Sequence, residues 1–137
     1  MDFSIATSVE GLPEFLAYLV ASLVLVLIYV VVYSAVTPHN EFGLIRQNNS
    51  AAMIAFSGSL LGFALPLSSA VTNSTSIGDC VVWGLVALVL QILAYFVLRL
   101  PIDNLSGRIV EGQIAAGGWL GAGSLAAGLV NAACMTY

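Results

Sequence analysis

The sequence predicts an all-α integral membrane protein of four transmembrane helices, built as two tandem, parallel two-helix repeats. Three observations lead there. Of the 137 residues, 60% are hydrophobic and 7% are charged, against roughly 25% charged in ordinary soluble domains; mean hydropathy is +1.03. Four apolar stretches are each long enough to cross a hydrocarbon layer of about 30 Å as a helix. These stretches alternate in kind, bulky, small, bulky, small, so the pattern of one half returns in the other. A single membrane domain, residues 1–137, takes up the length, with residues 15–71 as the first repeat and 81–134 as the second.

The opening MDFSIATSVEGLPEF carries Asp2, Glu10 and Glu14 where a secretory signal carries basic residues, and no small-residue cleavage site follows a short apolar run. The first hydrophobic segment is therefore expected to stay in the mature protein. Gly11 and Pro13 suggest a break before the first span, with Pro13 tolerated in a first helical turn. That span, Phe15 to Val36, is rich in Val, Leu and Tyr and has no glycine, so it is expected to face mostly lipid. Thr37-Pro38 ends it. In the polar segment His39 to Asn49, Phe42, Leu44 and Ile45 fit a single interfacial helical turn with Asn40 as its cap.

The second span, Ala51 to Val71, changes character: 11 of its 21 residues are Ala, Gly or Ser. Ala51, Ala55, Gly58, Gly62, Pro66 and Ser69 follow helical spacing along one face, and Pro66 removes the bond to the Gly62 carbonyl, which predicts a kink. A short turn, Thr72 to Asp79, leads to the bulky third span, Val81 to Leu98, with Gln91 as a lone polar residue near its middle. Leu105, Ile109 and Val110 form a second interfacial elbow. The fourth span, Ile114 to Cys134, holds 13 Gly, Ala or Ser among 21 residues. Gly117, Gly121, Ser124 and Gly128 share one face, and a helix stripped of bulk there lets another backbone approach closely. Gly58, Gly62, Gly117, Gly121, Ser124 and Gly128 are accordingly the expected helix-packing residues. The second and fourth spans should pack centrally, with the first and third outside. Superposing GSLLG at Gly58 on GGWLG at Gly117 sets the repeat offset at 59 residues.

Charge fixes the expected orientation and excludes several functions. Seven acids stand against three arginines, a net charge of −4, which leaves no surface for nucleic acid. Arg46 lies in the first elbow and Arg99 and Arg108 in the second, so both elbows should be cytoplasmic and both termini periplasmic. Arg108 and Glu111, three residues apart, can pair at the interface for roughly 0–1 kcal/mol. No catalytic constellation, cofactor motif or metal-ligand cluster is present: the single histidine, His39, has Glu41 two residues on and reads as a solvated or interfacial residue. Cys80 and Cys134 fall at the same outer face, where a disulfide needs Cα atoms within roughly 7 Å.

Thr37-Pro38-His39-Asn40-Glu41, Asn48-Asn49, Ala55-Phe56-Ser57-Gly58 with Leu61-Gly62, Pro66-Leu67-Ser68-Ser69-Ala70, Trp83-Gly84, Gln91, Arg99-Leu100 and Asn131-Ala132-Ala133-Cys134-Met135-Thr136 resemble the YjfL-type bacterial inner-membrane proteins. The likeness spans nearly the whole chain, leaving out Cys80. It implies a Gram-negative inner-membrane location, a duplicated two-span unit and a link to cytoplasmic membrane-stress proteins, and it brings no catalytic residue.

Two functions fit these residues. The leading one is a non-enzymatic scaffold, homo-oligomeric in the bilayer, whose elbows His39–Asn49 and Asp103–Val110 meet a cytoplasmic membrane-stress protein. The other is a small channel or transporter with a polar path between the second and fourth helices, through Pro66, Ser69, Gln91 and Asn131, where the two halves' helices are interrupted. Interhelical hydrogen bonds of about 0.6 kcal/mol each are the alternative use of the same polar groups.

Overall fold

Small residues place two of the helices and bulky residues place the other two. The computed structural model describes residues 5–135, and among these there is helix and connecting turn but no strand. A short α1 (Ile5–Ser8) precedes α2 (Leu12–Val36); then come α3 (Glu41–Arg46), α4 (Ser50–Asn73), α5 (Ile77–Leu98), α6 (Leu105–Val110) and α7 (Ile114–Cys134). Four of these are long and apolar enough to cross a membrane, α1 and α2 together counting as one span. The boundaries follow local chemistry. Gly11 precedes α2 and Pro13 sits in its first turn. Asn40, Asn49 and Ser76 cap α3, α4 and α5 by accepting from backbone N–H groups of Gly43, Ala52 and Asp79 at 3.2, 3.0 and 3.1 Å. Both expected elbows are thus single short helices, and α4 continues as one helix through Pro66.

The spine of the bundle is α4 against α7. A Cβ placed on Gly117 would strike the Ala51 carbonyl, one on Gly58 would strike Gly121, and one on Gly128 would strike Gly62. Residue numbers rise together along both helices, so the pair is parallel, with backbone resting on backbone. α2 and α5 flank this seam: the most apolar window of α2 is 11% buried against 44% for α4. What α2 does bury is one stripe, Leu25, Tyr29 and Tyr33, at four-residue spacing. Leu25, placed by sequence on a lipid-facing helix, fills the space left by Gly84 of α5. Tyr29 stacks on Phe63 with ring centroids 4.5 Å apart, and Tyr33 meets Tyr95 edge-on at 5.7 Å.

Two pairs of helices begin at a constant interval. α3 and α6 begin at residues 41 and 105, and α4 and α7 at residues 50 and 114, an interval of 64 in each case rather than 59. Gly58 faces Gly121 across the α4–α7 seam. One expectation is corrected. Arg108 does not pair with Glu111; its Nε donates to the Asp103 carbonyl at 2.9 Å, which closes the turn into α6, and Glu111 accepts from Gln113 at 3.1 Å. Cys80 is buried, Cys134 is exposed, and both are free thiols.

Candidate functional site

The polar residues expected to line a path between α4 and α7 mostly bond across helices. Gln91 of α5 donates from Nε2 to the Ser124 carbonyl at 2.7 Å, and the absence of a side chain at Gly62 makes room for it. Ser59 Oγ donates to Ser124 Oγ at 3.3 Å, and Ser69 Oγ donates to the Ala132 carbonyl at 3.1 Å. Pro66 is buried in the core. Asn131 has a buried Nδ2 without a hydrogen-bond partner and, with Gln91, borders a largely apolar groove of about 530 Å³ between α5 and α7. Gln91 and Asn131 share that groove, whereas Pro66 and Ser69 lie at the α4–α7 contact, where Gly62 and Gly128 let the backbones meet.

A different polar cluster lies at the elbow end. Tyr29, Tyr33 and Thr37 follow one another at four-residue spacing down the inner face of α2, and the same line leads to Glu41. Thr37 ends α2: its Oγ1 and its N–H both bond to the Tyr33 carbonyl at 3.0 Å. Pro38 keeps Thr37 extended, at φ −74° and ψ 134°, so the chain turns back under the bundle. Asn40 then opens α3, which places Glu41 in the first helical turn, pointing inward. Glu41 is 1% exposed, and neither carboxyl oxygen has a hydrogen-bond partner. Its Oε1 lies 3.4 Å from Nε2 of His39, which is itself buried. On the other side of that ring, His39 Nδ1 bonds to Ser106 Oγ of α6.

Burial sets the electrostatics of the pair. It pushes the Glu41 carboxyl above the ordinary carboxylate range; the hydroxyls of Thr37 and Ser34 lie nearby and pull the other way, but neither is aligned to donate to it. It also lowers the His39 imidazole below its usual value. Both shifts favour the uncharged forms. Tyr29, Tyr33 and Tyr95 lie within electrostatic range of Glu41, and the Ser59 hydroxyl sits close to the first two. Outside, His39 forms one wall of a cleft of about 590 Å³ between the α2–α3 link and the α5–α6 link, shared with Arg99, Asp103 and Ser106. The Arg99 guanidinium lies 5.6 Å and 5.8 Å from the centroids of Tyr95 and Phe96.

From the sequence, His39 reads as a solvated or interfacial residue, and Glu41 only as its neighbour two residues on. The available signal was the spacing Tyr29, Tyr33, Thr37, a polar stripe on an otherwise apolar helix that points straight at the acid.

The elbows are also tied to each other. Asn49, while capping α4, donates from Nδ2 to the Ile109 and Val110 carbonyls at 2.9 and 3.2 Å, closing the end of α6. With the His39–Ser106 bond, two polar links hold the elbows together.

Residues 7–135 match the family described as Domain of Unknown Function (DUF350). The chain belongs to this family. It is 47% identical over 128 residues to the UPF0719 inner membrane protein YjfL of Escherichia coli, in both the K12 and the O157:H7 strains, covering 93% of this chain and 97% of the relative. It is 24% identical over 88 residues to the UPF0719 transmembrane protein YshE of Bacillus subtilis, covering 64% of this chain and 66% of the relative. No solved structure matches. The YjfL resemblance read from the motifs is thereby established, and with four apolar helices the chain is a multi-pass inner-membrane protein.

Proposed function

We propose that this protein is a non-enzymatic membrane scaffold, with α4 and α7 as a fixed spine and the joined elbows as its working face. The observation that carries the reading is the seam itself. Its backbones touch at Gly58, Gly62, Gly117, Gly121 and Gly128, and the polar groups of Ser59, Ser69, Gln91 and Ser124 bond across helices. A conduction path needs polar groups converging on water; here they converge on one another, which supports a rigid frame over the channel or transporter reading. The 64-residue interval between matching elements supports descent of both halves from one two-helix unit. The arginines at residues 46, 99 and 108 favour cytoplasmic elbows and periplasmic termini. In this reading the lipid-facing flanks of α2 and α5 allow copies to associate, and the elbow face receives a cytoplasmic membrane-stress protein.

Site-specific photocrosslinking in intact cells tests the working face. A crosslinker at exposed Gln47 is expected to capture a cytoplasmic protein, and one at Ser74 to capture none. The same capture from both positions, or reproducible unitary currents in planar bilayers that change with Asn131→Ala, would overturn the scaffold.

A further inference from the structure

We propose that Glu41 and His39 form a binding site for one exchangeable proton, and that this proton keeps the two elbows coupled. The geometry accounts for atoms that are otherwise unsatisfied. Glu41 is buried with both oxygens unpartnered, and the Nε2 of His39, also without a conventional hydrogen bond, faces its Oε1 at 3.4 Å. A buried polar atom without a partner is costly and calls for an explanation. One proton answers for both: carried on Glu41, it points at Nε2, while the neutral imidazole carries its own hydrogen on Nδ1 and donates it to Ser106. Moved to Nε2, the same proton leaves a carboxylate facing an imidazolium, with no atom gained or lost. His39 walls the cleft, so it is the route by which the proton reaches water; Glu41 lies behind it.

The fold does not require an acid here. Leu105 holds the corresponding place in the second elbow, first residue of a six-residue helix and likewise buried. An apolar side chain satisfies that position, so the carboxyl of Glu41 serves something other than packing. Among the described residues no arginine forms an ion pair with it. From α2 Tyr29, Tyr33, Ser34 and Thr37 lie near it, and from α5 Tyr95, with Arg99 over that ring and lining the cleft beside His39. α4 brings Ser59 and no ionisable group. At the cleft, Arg108 is turned to the Asp103 carbonyl, and Asp103 lines the opposite wall. Removing the proton therefore leaves a buried carboxylate with only the Thr37 and Ser34 hydroxyls and its own backbone N–H nearby. Its relief is to swing toward the cleft, and that movement displaces His39 and breaks the bond to Ser106.

Infrared difference spectra of the full-length protein in proteoliposomes, taken from acid to alkaline pH, test the site. The wild type should lose a protonated-carboxyl band above the ordinary carboxylate range, and Glu41→Gln should lack that component. Amide hydrogen exchange of α6, corrected for intrinsic rates, should rise over the same pH interval in the wild type and stay flat in the variant. If Glu41→Gln does not fold, Glu41→Leu, which copies the second elbow, takes its place. Identical wild-type and variant spectra, or a carboxyl that titrates in the ordinary range, would refute the proton site. A band that behaves as expected with unchanged exchange in α6 would refute the coupling.

Discussion

The two elbows are built alike and used differently. Each is a six-residue helix between two spans, each follows an asparagine, and each ends within two residues of a backbone in the left-handed region, Asn48 at φ 65° and Gly112 at φ 82°. Yet Asn40 caps its helix by a side-chain bond, whereas Asn104 takes a left-handed conformation at φ 53° and makes none. Asn49 both caps α4 and closes α6, while Gln113, ahead of α7, makes no side-chain cap. Above all, the first elbow buries Glu41 where the second buries Leu105. Two elements of one shape separate what that shape needs from what has been added to it. Both elbows have a short helix and a turn; the acid, its histidine and the cross-tie from Asn49 belong to the first elbow alone.

Exchanging the plugs should give the largest effect. Leu105→Glu would bury a carboxyl at a position packed as an apolar plug, where His39 is already bonded to Ser106, and an uncompensated buried charge costs roughly 3–5 kcal/mol, so the variant should melt far below wild type in detergent. The reverse change, Glu41→Leu, has a sign set by pH. Because burial raises the folded-state carboxyl above its ordinary value of 4.5, its contribution is fully present below that value and is lost as pH rises through the folded one. Glu41→Leu should therefore gain stability over wild type at alkaline pH, on the order of 2 kcal/mol, and lose that advantage in acid. His39, depressed from 6.5, works in the opposite direction below that pH, so the comparison is cleanest on the alkaline side. Thermal melts across pH read both effects, and parallel curves for the two proteins would break the contrast between the elbows.

The cross-tie comes next. Asn49→Ala removes a cap worth about 1 kcal/mol and two bonds to the end of α6 of roughly 1 kcal/mol each. It should cost about 3 kcal/mol, whereas Gln113→Ala should stay within about 0.5 kcal/mol. Smaller again is the turn. Gly112→Ala forces a side chain into the left-handed region for about 1 kcal/mol, while Asn48→Gly should be nearly neutral. Equal losses at Asn49 and Gln113 would mean that the elbows are not tied through the first one.

Much of the architecture was legible in the sequence because apolar length and turn chemistry are local. The fourth span agrees with α7 at both ends, and Asn40 was readable as a cap because asparagine before a short apolar-polar run has few other uses. The small-residue face was also readable, since glycines at helical spacing have one common purpose in a membrane. Pairing was less accessible. Which groove receives Gly58, or that Gln91 occupies the space beside Gly62, depends on the crossing of helices far apart in sequence. The Glu41 cluster was missed for another reason. A polar residue after a span-ending Thr-Pro reads as solvated unless the turn at Pro38 is known to fold it back beneath Tyr33.

The central claim is that α4 and α7 rest backbone on backbone, and two glycines three residues apart on α7 test it most directly. A Cβ at Gly121 would lie 2.5 Å from the Ile54 carbonyl oxygen, whereas one at Gly118 would meet nothing within 4 Å. Alanine in place of a helical glycine otherwise gains about 0.5–1 kcal/mol, and overpacking a tight contact costs about 1–3 kcal/mol. Thermal unfolding of the two variants in detergent should therefore move in opposite directions, Gly118→Ala above wild type and Gly121→Ala below it. A Gly121→Ala protein as stable as Gly118→Ala would contradict the seam.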